Sequence, residues 1–177
     1  RIDAHLCRIA RGVVVIGVVH DVNVGGTENV INATIAAITE HVVHLSSSAV
    51  YGIPAEIPIT EQTPLDPLGE YGRSKYHGEI VVRRAVDGGL AAAVIRPRTI
   101  VGLGRLGIFQ LLFDMIANQR PITLLGSGRY DFQLVSNRDL SRALICVSDQ
   151  KANGIFNVGT GSFTTLKNDL NELAKTV

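Results

Sequence analysis

The feature that most constrains this chain is its alternation of short apolar runs with longer amphipathic ones. "HVVHL" (41–45), "LAAAVIRP" (90–97), "PITLLG" (121–126) and "GIFNVG" (154–159) are brief and aliphatic, and they read as buried strands. Residues 21–39, 69–86, 107–118, 138–149 and 164–176 carry apolar side chains at helical spacing and read as helices. Strands alternating with helices of this length require crossover connections, and crossovers produce a parallel sheet covered by helices. The expected fold class is α/β. Four of the six prolines fall in 53–69, which predicts an irregular loop between a strand end and a helix start. In parallel α/β sheets that edge is where ligands bind.

Composition narrows the function classes. A chain of 177 residues supports one good core and is short for two, and no Gly- or Ser-rich linker divides it, so 1–177 reads as a single domain. Its formal net charge of +1 gives no support to a nucleic-acid partner. No apolar run approaches the roughly 20 residues that a membrane helix needs. Cys7 and Cys146 are too few for a disulfide framework, so a reducing cytoplasm is expected. His41 and His44 lie three apart on a predicted strand and face opposite sides; with no His-x-x-x-His or Cys-x-x-Cys set, no metal site is expected. A Ser-His-Asp hydrolase lacks its Gly-x-Ser-x-Gly elbow.

The chemistry concentrates in "HLSSSAVYGIPAEIPITEQTPLDPLGEYGRSKY" (44–76). Tyr71 and Lys75 are four apart on a predicted helix, so they project from one face. A phenol with an ordinary pKa of about 10 is a poor base at neutral pH, and a fixed ammonium beside it favours the phenolate. Tyr71 is therefore a candidate general acid/base, with Ser47 at the strand end donating a hydrogen bond to the same substrate oxygen. The bland alternative is a helix whose Tyr packs and whose Lys is solvated. Asp66 and Glu70, near the helix start, suit its dipole better than catalysis.

At these residues the sequence resembles the extended short-chain dehydrogenase/reductase family, the NAD-dependent epimerases and dehydratases that act mostly on nucleotide sugars. "DVNVGGTENVINA" (21–33), "SSSAVYG" (46–52), "YGRSK" (71–75), "VIRPRTIVGLG" (94–104), "RDLSRAL" (138–144) and "FNVGTG" (156–161) match its landmarks in order. The resemblance implies a Rossmann-like, NAD(P)-binding oxidoreductase or isomerase, with catalytic Ser47, Tyr71 and Lys75. It implies cofactor contacts from Asn23, Lys75 and Pro97, and substrate contacts from Ser48, Thr99 and Arg105. It places substrate-side elements at about 98–177 and implies a homodimer for the full-length form, with a nucleotide sugar as the small-molecule partner.

Departures from the family pattern shape the rest of the expectation. The family opens on a strand and Gly-x-x-Gly-x-x-Gly, whose amides hold the pyrophosphate, and nothing before Asp21 fits it. "DAHLC" (3–7) looks like the end of a fourth strand. "RIDAHLCRIARG" (1–12) lacks both a signal peptide's order of regions and an initiator Met. The chain is thus expected to be the middle of a larger enzyme, a Rossmann-like sheet lacking its first strand–helix units, with the choice of NAD or NADP made upstream. "GLGRLG" (102–107) spells Gly-x-Gly-x-x-Gly, but no acid follows at the next strand end, so a substrate-facing loop is the better reading. Phe132 sits where many sugar-nucleotide members carry an Arg, which leaves room for a non-sugar alcohol. A noncatalytic fragment that needs a partner segment is the other alternative. Family dehydratases place Asp-Glu after the catalytic hydroxyl residue; Ser48 and Ala49 stand there, which favours epimerisation or oxidation over dehydration.

Overall fold

The computed structural model of the protein describes residues 16–102, 108–122, 128, 130–162 and 164–176. Packing divides the chain into two compact units, Arg1–Arg96 with Val147–Phe156, and Pro97–Cys146 with Asn157–Val177. The expected strand–helix alternation holds, and the chain is α/β with a parallel pair at its centre.

In the first unit a helix α1 (Ile16–His20) runs through a π-helical turn (Asp21–Gly25) into α2 (Gly26–Ala36). Strand β1 (Val42–Leu45) follows, then a 3-10 turn (Ser48–Tyr51), the 19-residue helix α3 (Gly69–Asp87) and strand β2 (Ala92–Pro97). β1 and β2 pair in parallel, Val42 opposite Ala92 through Leu45 opposite Ile95, and α3 is the crossover between them. All six residues of β2 are buried, as a strand covered on both faces must be. Helix α3 has Glu70 in its first turn and Arg84 in its last, each complementing the helix dipole. One side of α2 and α3 supplies the core: Ile31 and Val82 pack with Ala92 and Val94, flanked by Val42, Val81, Ala85 and Leu90.

The second unit contains β3 (Thr99–Val101), α4 (Ile108–Ala117), β4 (Asp131–Phe132) and β5 (Leu134–Ser136). Helix α5 (Asn137–Asp149) and strand β6 (Gly154–Val158) cross the division between the units, and β6 is the third strand of the sheet β1-β2-β6. Strand β7 (Thr164–Thr165) and helix α6 (Leu166–Ala174) close the described chain. β3 and β5 are parallel, whereas β4 and β7 are antiparallel. Phe109 and Ile116 of α4 meet Leu166 and Leu170 of α6, with Phe132 packed on Phe109 at 5.7 Å between ring centroids. Thr165 caps α6 by accepting from the Asn168 N–H at 3.3 Å.

Helices expected at 69–86, 107–118, 138–149 and 164–176 fall within two residues of these bounds, and the strands at 41–45, 90–97 and 154–159 were placed equally well. The first helix begins at Ile16 rather than 21. The expected strand at 121–126 lies mostly outside the described residues, as does "DAHLC" (3–7). Four strands of two or three residues, β3, β4, β5 and β7, gave no sequence signal, because so short a run shows no periodicity.

Gly52 ends the 3-10 turn at φ +62°, and a Cβ there would lie 1.9 Å from the Asp66 carbonyl oxygen. Gly69 has nearly the same φ, +64°, but open space around it. Gly52→Ala is therefore expected to cost at least about 2 kcal/mol, from strain plus a backbone clash. Gly69→Ala should cost only about 1 kcal/mol, from strain alone. Urea unfolding of the two variants checks the order, and equal losses would contradict it.

Candidate active site

Helix α3 carries Tyr71, Lys75 and Glu79 at intervals of four, so the three side chains form one stripe along it. The stripe faces the segment that leaves β1. There the Lys75 Nζ donates to the Leu45 carbonyl at 3.2 Å. Ser47 is extended and caps the 3-10 turn, its Oγ accepting the Ala49 N–H at 3.2 Å. That bond uses the oxygen as acceptor and leaves the hydroxyl proton free to donate. Gly72 lies against the far side of the same turn: a Cβ on it would stand 2.9 Å from the Ala49 carbonyl oxygen. Ser47 is thus bracketed by two places where α3 touches its loop. Tyr71 remains 52% exposed.

Beneath this surface lies a buried polar cluster. Glu79 accepts three hydrogen bonds: from Ser46 Oγ at 2.5 Å, Arg96 Nε at 2.9 Å and Arg96 Nη2 at 2.6 Å. The third guanidinium nitrogen, Nη1, donates to the Tyr51 hydroxyl at 2.8 Å. Burial opposes the charge of Arg96, but the hydrogen bonds with Glu79 and Tyr51 outweigh it and hold the group above its ordinary pKa.

The π-helical turn positions Asn23. Its Nδ2 donates to Ser74 Oγ at 2.9 Å, and Ser74 in turn donates to the Tyr71 carbonyl at 2.9 Å. The Asn23 carbonyl accepts from Thr27 Oγ1 at 2.6 Å. Asn23 is therefore tied to the helical turn that bears Tyr71. His44 of β1 points toward the same helix, with Nε2 buried and unpartnered among the described residues. Burial, and then the Lys75 charge, lower its pKa to about 4, so it is neutral near pH 7. Desolvation also lowers Lys75 from the usual lysine value.

Ser47, Tyr71, Lys75 and Asn23 all belong to the first unit: α3 carries Tyr71 and Lys75, the loop after β1 carries Ser47, the π-helical turn carries Asn23, and Ser48 opens the 3-10 turn. Pro97 ends β2 and is buried, and Thr99 begins β3 with its side chain exposed; both belong to the second unit. Arg105, with most of "GLGRLG" (102–107), lies outside the described residues. Phe132 is half-buried and packs against the apolar cluster of the second unit. Sequence reasoning missed Ser46, Tyr51, Gly72, Glu79 and Arg96. Two signals were available: a carboxylate continuing the Tyr71–Lys75 stripe, and an arginine inside an otherwise apolar strand. Among the described residues no group of three or more His, Cys, Asp or Glu could hold a metal ion, and no helix is long and apolar enough to cross a membrane.

A parallel α/β sheet with Ser at one strand end and Tyr-x-x-x-Lys on the following helix defines the class of short-chain oxidoreductase folds. More narrowly, the chain belongs to the NAD dependent epimerase/dehydratase family, whose sequence profile matches residues 4–159. It is 39% identical over 155 residues to the uncharacterized protein y4nG of Sinorhizobium fredii, covering 87% of this chain and 39% of that protein. It is 33% identical over 165 residues to a putative UDP-glucose 4-epimerase of Methanocaldococcus jannaschii, covering 88% of this chain and 52% of that one. The fold matches the crystal structure of UDP-glucose 4-epimerase from Thermotoga maritima with UDP-glucose, at TM-score 0.82 and 22% identity over 94% of this chain and 57% of that chain. The chain spans about half the length, or less, of these relatives.

His44 supplies a pH prediction. Its folded pKa of about 4 lies below the ordinary 6.5, so the unfolded chain binds the proton more readily. The stability tied to the neutral ring is fully present above pH 6.5 and is lost as pH falls through the window toward 4. The loss should reach about 3 kcal/mol, on the order of 1.4 kcal/mol per pH unit. Urea unfolding at several pH values should show a steeper acid slope for the unaltered chain than for His44→Gln. Equal slopes would contradict it.

Proposed function

We propose that the protein carrying this chain is an NAD(P)-dependent epimerase or oxidoreductase acting on a secondary alcohol of a nucleotide sugar. The observation that carries this reading is that α3 lays Tyr71 and Lys75 along the loop that holds Ser47, with Lys75 bonded to Leu45 and Gly72 seated on Ala49. Family membership and the named activities of the relatives support it.

In this reading the Tyr71 phenolate removes the proton of the substrate hydroxyl, and the Ser47 hydroxyl donates to the same oxygen as it becomes a carbonyl. Lys75 keeps negative charge on the phenol favourable and offers a donor set that fits a ribose diol. An ammonium has three N–H donors, and Leu45 occupies one. Asn23, Lys75 and Pro97 would hold the nicotinamide end of the cofactor; Ser48, Thr99 and Arg105 would meet the sugar. The nicotinamide, when bound, supplies hydride acceptance and return. Tyr71 gives its proton back when the carbonyl is reduced, and reduction from the opposite face inverts the centre.

Epimerisation or oxidation is favoured over loss of water. Elimination needs an acid for the departing hydroxyl and a base for the neighbouring carbon, and the positions after Ser47 are Ser48 and Ala49. Neither supplies a carboxylate.

In the full-length protein Tyr71→Phe should lower turnover by about 10²-fold or more while unfolding is nearly unchanged. Lys75→Met should weaken cofactor binding and move the pH–rate profile upward. Product analysis with a panel of nucleotide sugars should give epimers or ketones. Wild-type turnover in Tyr71→Phe, or a 4-keto-6-deoxy sugar as the main product, would overturn the respective assignment.

A further inference from the structure

The loop that holds Ser47 is fastened at both ends to one buried point. Just before Ser47, Ser46 Oγ donates to Glu79 at 2.5 Å. Four residues after it, the Tyr51 hydroxyl accepts from Arg96 Nη1 at 2.8 Å, and Arg96 is forked onto the same Glu79. The Arg96 guanidinium also lies over the Tyr51 ring, 4.9 Å from its centroid. Ser46, Tyr51, Glu79 and Arg96 are exposed by only 3%, 1%, 5% and 2%.

Stability alone is a poor account of this cluster, because a deeply buried ion pair gains little over apolar packing of the same volume. Its placement is more telling. The Ser46 N–H makes a 2.8 Å bond to the Ile95 carbonyl, and there the chain leaves the sheet. From Ser47 to Gly52 the backbone bonds within its own turn, through Val50 N–H to the Ser47 carbonyl and Gly52 N–H to the Ala49 carbonyl, each 3.3 Å. The side-chain fastenings at 46 and 51 therefore set where that turn sits over α3. Glu79 rides on the helix that carries Tyr71 and Lys75, so one rigid element holds both the acid/base and the anchor of its hydrogen-bonding partner.

We propose, building on the oxidoreductase reading above, that Ser46 and Tyr51, joined through the Glu79–Arg96 pair, are positioning residues that fix the Ser47 hydroxyl relative to the Tyr71–Lys75 face. Neither touches the reacting atoms; both act through Ser47. Misplacement of a catalytic group by about 1 Å can cost 10²-fold in rate, so a loosened loop registers in turnover before it registers in binding.

The test uses Ser46→Ala and Tyr51→Phe, which leave the ion pair whole. In the full-length protein each should lower kcat for a nucleotide sugar by about tenfold and leave KM within about twofold. Ser46→Ala combined with Ser47→Ala should be no slower than Ser47→Ala alone, because a residue acting through Ser47 has nothing further to lose. A merely structural role would make the two losses multiply, and that outcome overturns the proposal. In the 177-residue chain, amide exchange of segment 46–52 should speed up by about tenfold in Ser46→Ala, with α2 and β2 unchanged. Exchange that stays at the unaltered rate also overturns it. If Ser47→Ala turns over like the unaltered protein, the oxidoreductase role of Ser47 fails instead, and the exchange measurement alone decides the clamp.

Discussion

Glu79 and Arg96 form a bidentate ion pair at the bottom of the first unit, and the arrangement above it rests on their contact. Taking both charges out of water is expensive, and the expense is tolerable only where every donor finds a partner. Here each of the three guanidinium nitrogens makes a bond: Nε and Nη2 to Glu79 and Nη1 to Tyr51. One contact thereby joins the end of β2, the middle of α3 and both sides of the loop after β1. An apolar pair at the same depth would pack as well but would carry no direction. A fork of parallel hydrogen bonds fixes orientation as well as distance.

Charge is managed differently a few ångströms higher. Lys75 is partly desolvated, and its neighbour His44 is neutral near pH 7 because burial and the lysine charge both oppose its protonation. His44 thus adds no second positive charge beside the lysine near pH 7. The second unit has no comparable ionic centre among its described contacts. It is held by aromatic and aliphatic packing around Phe109, where Phe113 and Phe132 approach at 6.2 and 5.7 Å.

Much of this was legible in the sequence, for reasons that differ by element. The strand β2 was readable because a strand buried on both faces is an unbroken apolar run, and α3 because it is long and ends in Gly88-Gly89. That Tyr71 and Lys75 share a face was readable because a helix sets residues four apart on one side. The contacts of Ser46 and Tyr51 were not, since their partners stand 33 and 45 residues away and no local pattern encodes such a meeting. Gly72 escaped for a related reason. Its need to be small comes from the Ala49 carbonyl, which approaches only once the turn has folded. The shortest strands, such as β4 and β7, exist only as a pair and have no signature apart from each other.

The π-helical turn Asp21–Gly25 has a consequence for register. A π turn holds one residue more than an α turn, and each helical residue advances the side-chain direction by about 100°. The face that α1 presents is therefore rotated, by about that angle, from the face it would present on a regular continuation of α2. Asn23 is turned onto Ser74 within this offset, while Ile31 further along stays in the core. Deleting one residue from the turn would remove this offset and swing Asn23 off its partner Ser74. The irregular turn acts as a phase shift written into the helix, and it sets which side chains α1 and α2 turn toward α3.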